Sequence, residues 1–305
     1  ETTYSWEITG GDSIFASGAL SGAGNINLPV ANDTNADLVA TVTVTPTYTN
    51  DGVDCTGPSE EFTITVSPTA QVDQVEDIVV CNGDEVAEIE FTTTSENDIA
   101  YSWSIDTEIG TQSLTGVGNI PLFEADNDTN DPVVATVTVT PSNDETDPSL
   151  TCEGSSIEFT ITVNPTAQVD PVDSLDLCNG DTAAVDFTTS NGGVDSITTY
   201  LWEITDGDSV FESGILTEEG NINLPVINET NADLVATVTV TPTYTNDGEP
   251  CTGPSEEFTI TVSPTAQVEQ VDDIVVCNGD EVAEIVFATT SENDIAYSWS
   301  IDTEI

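Results

Sequence analysis

Carboxylate and amide side chains alternate along three short segments of this chain. The nine oxygen-bearing residues concerned are Asp33, Asn35, Asp37, Asp126, Asp128, Asn130, Glu229, Asn231 and Asp233. Calcium is bound by several oxygens from carboxylates, amides and carbonyls, so each segment could offer a set of ligands to one Ca²⁺. The segments lack the glycine and the distal glutamate of an EF-hand loop, and the alternative is a solvated acidic loop. Calcium is therefore the one cofactor that the pattern allows.

The six cysteines recur in pairs, at positions 55, 81, 152, 178, 251 and 277. Cys-x-x-Cys spacings are absent and the chain has no histidine, which argues against structural zinc. A regular pair in each repeat indicates disulfide chemistry outside the cytoplasm. Pairing within a repeat would join Cys81 to Cys152 and Cys178 to Cys251. The alternatives are pairing of cysteines 26 residues apart, free thiols, and links between chains.

Lysine, arginine and histidine are missing from all 305 residues, whereas aspartate and glutamate number 57. Without a histidine base, neither a Ser-His-Asp nor a Cys-His arrangement can form. Phosphate-binding loops that need lysine or arginine are excluded for the same reason. A pair of carboxylates, as in glycosidases, is the one catalytic arrangement that this composition still allows. Among 57 acidic residues some pair always lies close, so the presence of a pair does not indicate an enzyme. We expect that the chain is not an enzyme.

The formal net charge of −57 limits the partners that the chain can have. Nucleic acid and anionic membranes should repel it, so dissolved cations are its expected partners. No apolar stretch of about 18 residues occurs, and we expect no membrane insertion. Because salt screens repulsion between like charges, stability should rise with salt concentration.

The sequence repeats with a period of one domain. Tryptophans recur at positions 6, 103, 202 and 299, separated by 97, 99 and 97 residues. A shift of 196 residues superposes 1–109 on 197–305 with about 92 of 109 positions identical, so a two-domain unit has been duplicated. The predicted domains are a partial repeat at 1–69, full repeats at 70–166 and 167–265, and a partial repeat at 266–305. Both ends fall inside the repeat, so we expect a window of a longer array.

Alternating β-branched residues predict strands within each repeat. Runs such as 135–140 place valine on one face and threonine on the other, which is typical of a half-buried strand. In the second repeat the expected strands cover 78–81, 86–92, 101–105, 119–123, 133–140 and 157–163. About seven strands in each repeat indicate an all-β fold of tandem Ig-like β-sandwich domains stacked end to end. The tryptophan of each repeat is expected to fill the core, with carbohydrate stacking as the alternative.

Asn32, Asn127 and Asn228 each begin an Asn-x-Thr sequence at the same place in three repeats. Such a sequence is the acceptor for N-glycosylation of secreted proteins. If the source is bacterial, this modification is not expected.

Several motifs of the second repeat together resemble a known group of proteins. They are Val-Cys-Asn-Gly-Asp (80–84), Tyr-Ser-Trp (101–103), Gly-x-Gly-Asn-Ile (116–120), Ala-Thr-Val-Thr-Val-Thr-Pro (135–141), Cys-x-Gly (152–154) and Phe-Thr-Ile-Thr-Val-Asn-Pro (159–165). With their copies they make the whole chain similar to the PKD-like/Ig-like repeats of giant Bacteroidota surface adhesins. The PKD hallmark Trp-x-Phe-Gly-Asp-Gly is replaced by Trp-Glu-Ile-Thr-Gly-Gly-Asp at 6–12. The resemblance implies type IX secretion to the cell surface, in SprB-type gliding adhesins or grappling-hook-like filaments.

The predicted function is structural. Near-identical repeats supply length and additive stability without a unique site, which suits the shaft of a giant extracellular filament or adhesin. Such a shaft would serve attachment, gliding or prey capture, with other copies of the same chain as partners. The alternative is an array of domains that bind a glycan or a protein, with or without calcium.

Overall fold

The protein is built from strands. The computed structural model describes residues 1–143, 152–194 and 196–302, and every regular element in these ranges is a β-strand. The predicted all-β fold of tandem β-sandwiches is confirmed. The chain divides into two compact units, unit 1 with Glu1–Asp126 and Val133–Val163, and unit 2 with Asn127–Pro132 and Asn164–Ile305.

Unit 1 begins with a single five-stranded antiparallel sheet. Its strands are β1 (Thr2–Gly11), β2 (Ser21–Ala23), β3 (Leu38–Asn50), β4 (Val53–Thr56) and β5 (Glu60–Val66). The sheet has the order β2-β1-β3-β4, and β5 also pairs with β3. A small core that includes Trp6 and Val42 lies on one face of this sheet.

The second repeat, also in unit 1, has two layers. Its strands are β6 (Ile78–Cys81), β7 (Glu85–Val86), β8 (Ile99–Ile105), β9 (Thr115–Val117), β10 (Phe123–Glu124), β11 (Val133–Asn143) and β12 (Ile157–Asn164). The larger sheet has the order β6-β12-β11-β8-β9, and the smaller pairs β10 with β7. The core between them includes Trp103 and Val137 from the larger sheet and Val86 and Phe123 from the smaller.

Unit 2 contains the third repeat, which has the same two layers. Its strands are β13 (Leu175–Cys178), β14 (Thr182–Val185), β15 (Ile197–Gly207), β16 (Thr217–Glu219), β17 (Ile222–Pro225), β18 (Leu234–Asn246), β19 (Glu249–Thr252) and β20 (Glu256–Ser263). The larger sheet has the order β13-β20-β18-β15-β16 with β19 on β18, and the smaller pairs β14 with β17. The described part of the chain from 266 to 302 forms turns without a strand. The repeat boundaries at 69, 166 and 265 stay a prediction.

The alternation of side chains explains the long central strands. In β18, Ala236, Val238 and Val240 are fully buried, whereas the threonines between them are only partly buried. A strand with this period presents one apolar face to a core and one hydroxyl face to water. No aspartate or glutamate in the described ranges is buried, so these carboxylates remain in contact with water.

Candidate functional site: the junction loops

Three loops, at 32–37, 127–132 and 228–233, lead into the long strands β3, β11 and β18, and we call them the junction loops. In the first loop, Asn32 Oδ1 accepts hydrogen bonds from the N–H and the hydroxyl of Thr34, at 2.9 and 2.7 Å. Asn32 Nδ2 donates to the carbonyls of Ala36 and Val66, at 2.8 and 2.7 Å. One asparagine thus closes an Asx turn and ties the loop to the end of β5.

Asn228 makes the same turn in unit 2. It accepts from the N–H and the hydroxyl of Thr230 at 2.9 and 2.7 Å. Its Nδ2 donates to the carbonyl of Ala232 at 2.8 Å and to that of Val262 at 2.6 Å. Asn127 repeats the turn with Thr129.

These asparagines are structural, which bears on the Asn-x-Thr sequences. Asn127 and Asn228 are only 4% and 2% exposed, and the amide nitrogens of Asn32 and Asn228 each donate two hydrogen bonds. A glycan on this nitrogen would require the loop to open. The Asn-x-Thr sequence therefore recurs because it forms the Asx turn, whether or not the asparagine is glycosylated.

The junction loop of the first repeat binds the second repeat directly. The carbonyl of Asn35 accepts a hydrogen bond from the N–H of Glu96 at 2.8 Å. The carboxylate of Asp37 accepts another from Asn97 Nδ2, also at 2.8 Å. Two bonds thus join a loop of one repeat to a loop of the next, within unit 1.

The same two bonds recur 196 residues later, within unit 2. Asn231 O accepts from the N–H of Glu292 at 2.9 Å, and Asp233 Oδ1 accepts from Asn293 Nδ2 at 2.8 Å. We call each such pair of bonds a junction clamp. The clamp uses one backbone donor and one neutral amide, so it needs no cation.

The loop at 127–132 makes a variant of this contact, also within unit 2. Asn130 O accepts from the N–H of Gly192 at 2.9 Å, and Asn130 Oδ1 accepts from Gln168 Nε2 at 3.2 Å. A Cβ atom on Gly192 would lie 2.3 Å from Asp131 Oδ1, so a larger residue would displace this carboxylate. Gly192 O in turn accepts from the phenol of Tyr244 at 2.8 Å, and burial raises the pKa of this phenol.

The segments between repeats are packed rather than loose. Ala70 and Ala167 are at most 1% exposed, and a Cβ atom on Gly154 or Gly253 would lie 1.8 Å from the alanine carbonyl oxygen. Asn143 Nδ2 also donates to the carbonyl of Pro68 at 2.9 Å. The glycine of each Cys-x-Gly motif in the second and third repeats therefore allows the incoming segment to approach closely.

The structure places the predicted calcium ligands in or beside the junction loops. Asp37 and Asp233 accept clamp bonds, Asn35 and Asn231 contribute carbonyls, and Asn130 accepts from Gln168. Asp33, Asp126, Asp128 and Glu229 have exposed side chains. In the described ranges, no group of three or more cysteine, aspartate or glutamate side chains is arranged to hold a metal ion. Calcium at the nine residues stays a prediction.

The cysteine pairing expected within a repeat does not form. Cys81 and Cys251 are in the disulfide state, whereas Cys152 and Cys178 carry thiols, as do Cys55 and Cys277. Cysteines 26 residues apart are likewise not joined, because Cys55, Cys178 and Cys277 are thiols.

The strand register of the third repeat explains why Cys178 and Cys251 do not form a disulfide. Cys178 pairs with Ser263 at one end of the sheet, next to Leu234, whereas Cys251 pairs with Tyr244 ten residues further along β18. At about 3.3 Å per residue, ten residues place the two cysteines roughly 30 Å apart. A disulfide needs Cα atoms within about 7 Å, so the two cysteines of one repeat cannot meet.

Two exposed aspartates hold neighbouring strands by accepting backbone N–H bonds. Asp106 Oδ1 accepts from the N–H of Thr136 at 2.8 Å, and Asp77 Oδ1 accepts from that of Thr160 at 2.6 Å. In each case the bond from the backbone N–H lowers the pKa of the carboxyl group. These carboxylates are structural groups rather than candidates for acid–base chemistry.

Comparisons with known proteins leave the family open. No protein-family model matches the chain, and no curated protein matches it. Drosophila N-cadherin EC1-4 is a similar solved structure, at 15% identity over 86% of this chain and 67% of that chain, with a TM-score of 0.30. The three N-terminal domains of the bacteriophage RB49 outer capsid protein Hoc give 14% identity, 87% and 89% coverage, and a TM-score of 0.40. At these values the likeness shows neither a family nor a function.

The described residues include no helix long and apolar enough to cross a membrane.

Proposed function

We propose that this chain is a structural segment of the shaft of a giant extracellular filament or adhesin. The observation that carries the proposal is the junction clamp, whose two hydrogen bonds occur at 96–97 and again at 292–293. Repeated contacts between neighbours give a tandem protein additive stability and a defined direction. A shaft uses this property, because it needs a repeated junction rather than a unique site.

The packed segments between repeats support the same proposal. Ala70 is buried beside Gly154 within unit 1, and Ala167 is buried beside Gly253 within unit 2, so each of these segments is packed against the repeat that follows it. The 57 carboxylates would give the shaft a negative coat that keeps it solvated and away from anionic surfaces. A catalytic role is not part of this proposal.

The proposal places the filament on a bacterial cell surface, exported by the type IX system and serving attachment, gliding or prey capture. The support for this finer assignment is the sequence resemblance to Bacteroidota adhesin repeats. Other copies of the same chain would be its neighbours in the filament.

The double variant Asn97→Asp/Asn293→Asp tests the proposal. Each substitution places a second carboxylate against Asp37 or Asp233, where the amide nitrogen now lies 2.8 Å away. Like charges at this distance repel, so the clamp should open while each sandwich stays folded. We expect small-angle scattering to show a broader distribution of lengths for the variant than for the native chain.

The matched control is Asn119→Asp, because Asn119 also donates to an exposed carboxylate, that of Glu88, but within one repeat. This control should keep the native scattering profile. Scattering from the native chain that already shows freely jointed domains would contradict the shaft proposal.

A further inference from the structure

The second repeat contains a cavity beside its core tryptophan. The cavity has a volume of about 400 Å³ and is lined by residues of β8, β9 and the segment from 111 to 123. The lining includes Trp103, Gln112, Ser113, Thr115, Asn119 and Phe123. Ligand pockets in proteins are typically about 300–1,000 Å³, so the cavity can hold a small molecule.

Three polar atoms of the lining residues have no partner within the protein. They are Trp103 Nε1, Gln112 Oε1 and Gln112 Nε2, all buried. The Trp103 side chain as a whole is 6% exposed. Nearly all buried polar groups in folded proteins are hydrogen-bonded, so the two Gln112 atoms require a partner from outside the chain. The indole nitrogen of Trp202 in the third repeat is also buried without a partner, so Gln112 is the group that distinguishes this cavity.

The cavity coincides with a substitution that distinguishes the second repeat. In the first and third repeats, Phe15 and Phe211 lie edge-on to the tryptophan, with ring centroids 5.5 and 5.4 Å apart. Phe15, Gly110 and Phe211 form the equivalent bridges in the three repeats, to Val30, Ala125 and Val226. The aromatic ring that covers the tryptophan in its neighbours is therefore absent from the second repeat.

When the three repeats are aligned by these bridges, a glutamine occurs at the position of Gln112 only in the second repeat. Two residues after the bridging position, the other repeats have Ser17 and Ser213. Each of these serines accepts a hydrogen bond from the N–H two residues on, at 3.4 Å. In the second repeat a longer amide side chain stands at this position, beside the cavity, and makes no such bond.

Glycine at position 116 preserves the indole wall. A Cβ atom there would lie 2.2 Å from Trp103 Cζ2, so any other residue would displace the ring. Two of the lining residues, Val117 and Leu122, are 83% and 60% exposed and form the rim of the cavity. The site thus combines an aromatic wall, neutral hydrogen-bonding groups and an open apolar rim.

We propose that this cavity binds one neutral sugar ring, such as the terminal pyranose of a glycan. A pyranose has hydroxyls for the amide and the indole N–H, and an apolar C–H face for an aromatic wall. The lining residues include no carboxylate, which disfavours a cation, and the chain's charge of −57 disfavours an anion. This site goes beyond the shaft function, which stands or falls independently of it.

The test is ligand-observed NMR on the native chain with the methyl glycosides of glucose, galactose, mannose and N-acetylglucosamine. We expect saturable binding of at least one sugar, weakened roughly tenfold by Gln112→Ser, which removes one buried hydrogen-bonding group. The variant has the residue found at Ser17 and Ser213, so it should fold, and its melting temperature verifies this. Ser213→Ala, at the equivalent place in the third repeat, is the control that should leave binding unchanged.

Two outcomes overturn the proposal. One is the absence of saturable binding for all four sugars. The other is binding that Gln112→Ser leaves intact, because the sugar would then lie elsewhere on the chain. Crystals soaked in the bound sugar, with density for water alone in the cavity, would also contradict it.

Discussion

In the described part of the chain, carboxylates accept hydrogen bonds from neutral donors, which include asparagine amides. Asn97 bonds Asp37 at 2.8 Å, and Asn221 bonds Asp186 at the same distance. A lysine or arginine would ordinarily fill this role, but the sequence has neither. A neutral donor stabilises a carboxylate without requiring a second charge to lose its water. The pattern therefore reconciles an all-acidic surface with specific side-chain contacts.

Removing the organising asparagine of a junction loop should be costly. In Asn228→Ala, the carbonyls of Ala232 and Val262 lose their donor and the turn loses its acceptor. Because Asn228 is 2% exposed, we expect the free energy of unfolding of the third repeat to fall by about 2–4 kcal/mol. Chemical denaturation followed by tryptophan fluorescence measures this, with the exposed Asn223→Ala as control. Equal stability of the two variants would refute the role of the turn.

The Asp106 carboxylate should make a pH-dependent contribution to stability. The bond from the Thr136 N–H lowers its pKa in the folded state, so the ionised form is favoured there. The contribution is present above the unfolded pKa of about 3.9 and is lost as pH falls through the lower folded pKa. Asp106→Asn should therefore melt at a lower temperature than the native chain from pH 5 to 8, with the gap closing below about pH 3.9. A gap independent of pH would assign the effect to packing instead, and Asp176→Asn serves as an exposed control.

At the scale of elements, the sequence pattern predicted β8, β11, β12 and the short β6 of the larger sheet well, and the two strands of the smaller sheet poorly. The expected strand at 133–140 is β11 and extends to Asn143, because residues 141–143 continue the backbone ladder with β8. The expected strand at 86–92 has a ladder pair at Val86, next to that of Glu85, and an isolated bridge between Ile89 and Ile120. Beyond them, Phe91 donates its N–H to the side chain of Asn119 instead of to a strand. A side chain that replaces a ladder bond leaves no trace in a hydrophobic pattern.

The junction clamp could not be read from the sequence, although its residues were visible. Asp37 and Asn97 are 60 residues apart, and each lies in a polar loop whose pattern predicts only exposure. In the sequence, the acidic positions of these loops predict a metal site, because carboxylate and amide oxygens are typical ligands of Ca²⁺. The usable signal was the asparagine that begins each loop, since an Asx turn gives a physical reason for Asn-x-Thr to recur.

The packed segments between repeats predict different effects for the same substitution at two related glycines. Gly253→Ala should destabilise unit 2 by about 1–3 kcal/mol, because the new Cβ would lie 1.8 Å from the carbonyl oxygen of Ala167. The matched control is Gly57→Ala, whose Cβ would meet only Pro46 Cγ, at 3.1 Å. Differential scanning calorimetry of the two variants should show the larger loss for Gly253→Ala. A loss of the same size at both positions would mean that the close approach is not responsible.

The disulfide state is also a prediction at this scale. Alkylation of the unreduced chain should label Cys55, Cys178 and Cys277 and leave Cys81 and Cys251 unlabelled. Mass spectrometry of peptides before and after reduction measures the labelling. Protection of Cys178 together with Cys251 would restore the pairing within a repeat and contradict the register of the third repeat.

The whole molecule is a polyanion held together without a single basic side chain. Its 57 carboxylates repel one another over about 10 Å at 0.1 M salt and about 3 Å at 1 M. We therefore expect the melting temperature to rise by several degrees between 0.02 and 0.5 M sodium chloride. Scanning calorimetry measures the shift, and an unchanged or falling melting temperature would show that repulsion does not limit stability.

The effect of bound calcium on the melting temperature can be distinguished from the effect of ionic screening in the same experiment. Calcium chloride and sodium chloride compared at equal ionic strength should give equal melting temperatures if the junction loops are only solvated. An additional rise with calcium, lost in Asp33→Asn, would assign an ion to the first loop. The fully clamped Asp37 is a poorer choice of variant, because its carboxylate also accepts from Asn97.

The spacing of the junction clamps has a genetic consequence. Both clamps are made by the same residue types, 196 residues apart, and that distance is also the length of the duplicated unit. Insertion or deletion of one whole unit by unequal recombination would thus join surfaces that already fit each other. Array length could then differ between related strains while every boundary between domains kept its native contacts, so selection could act on reach without having to rebuild an interface.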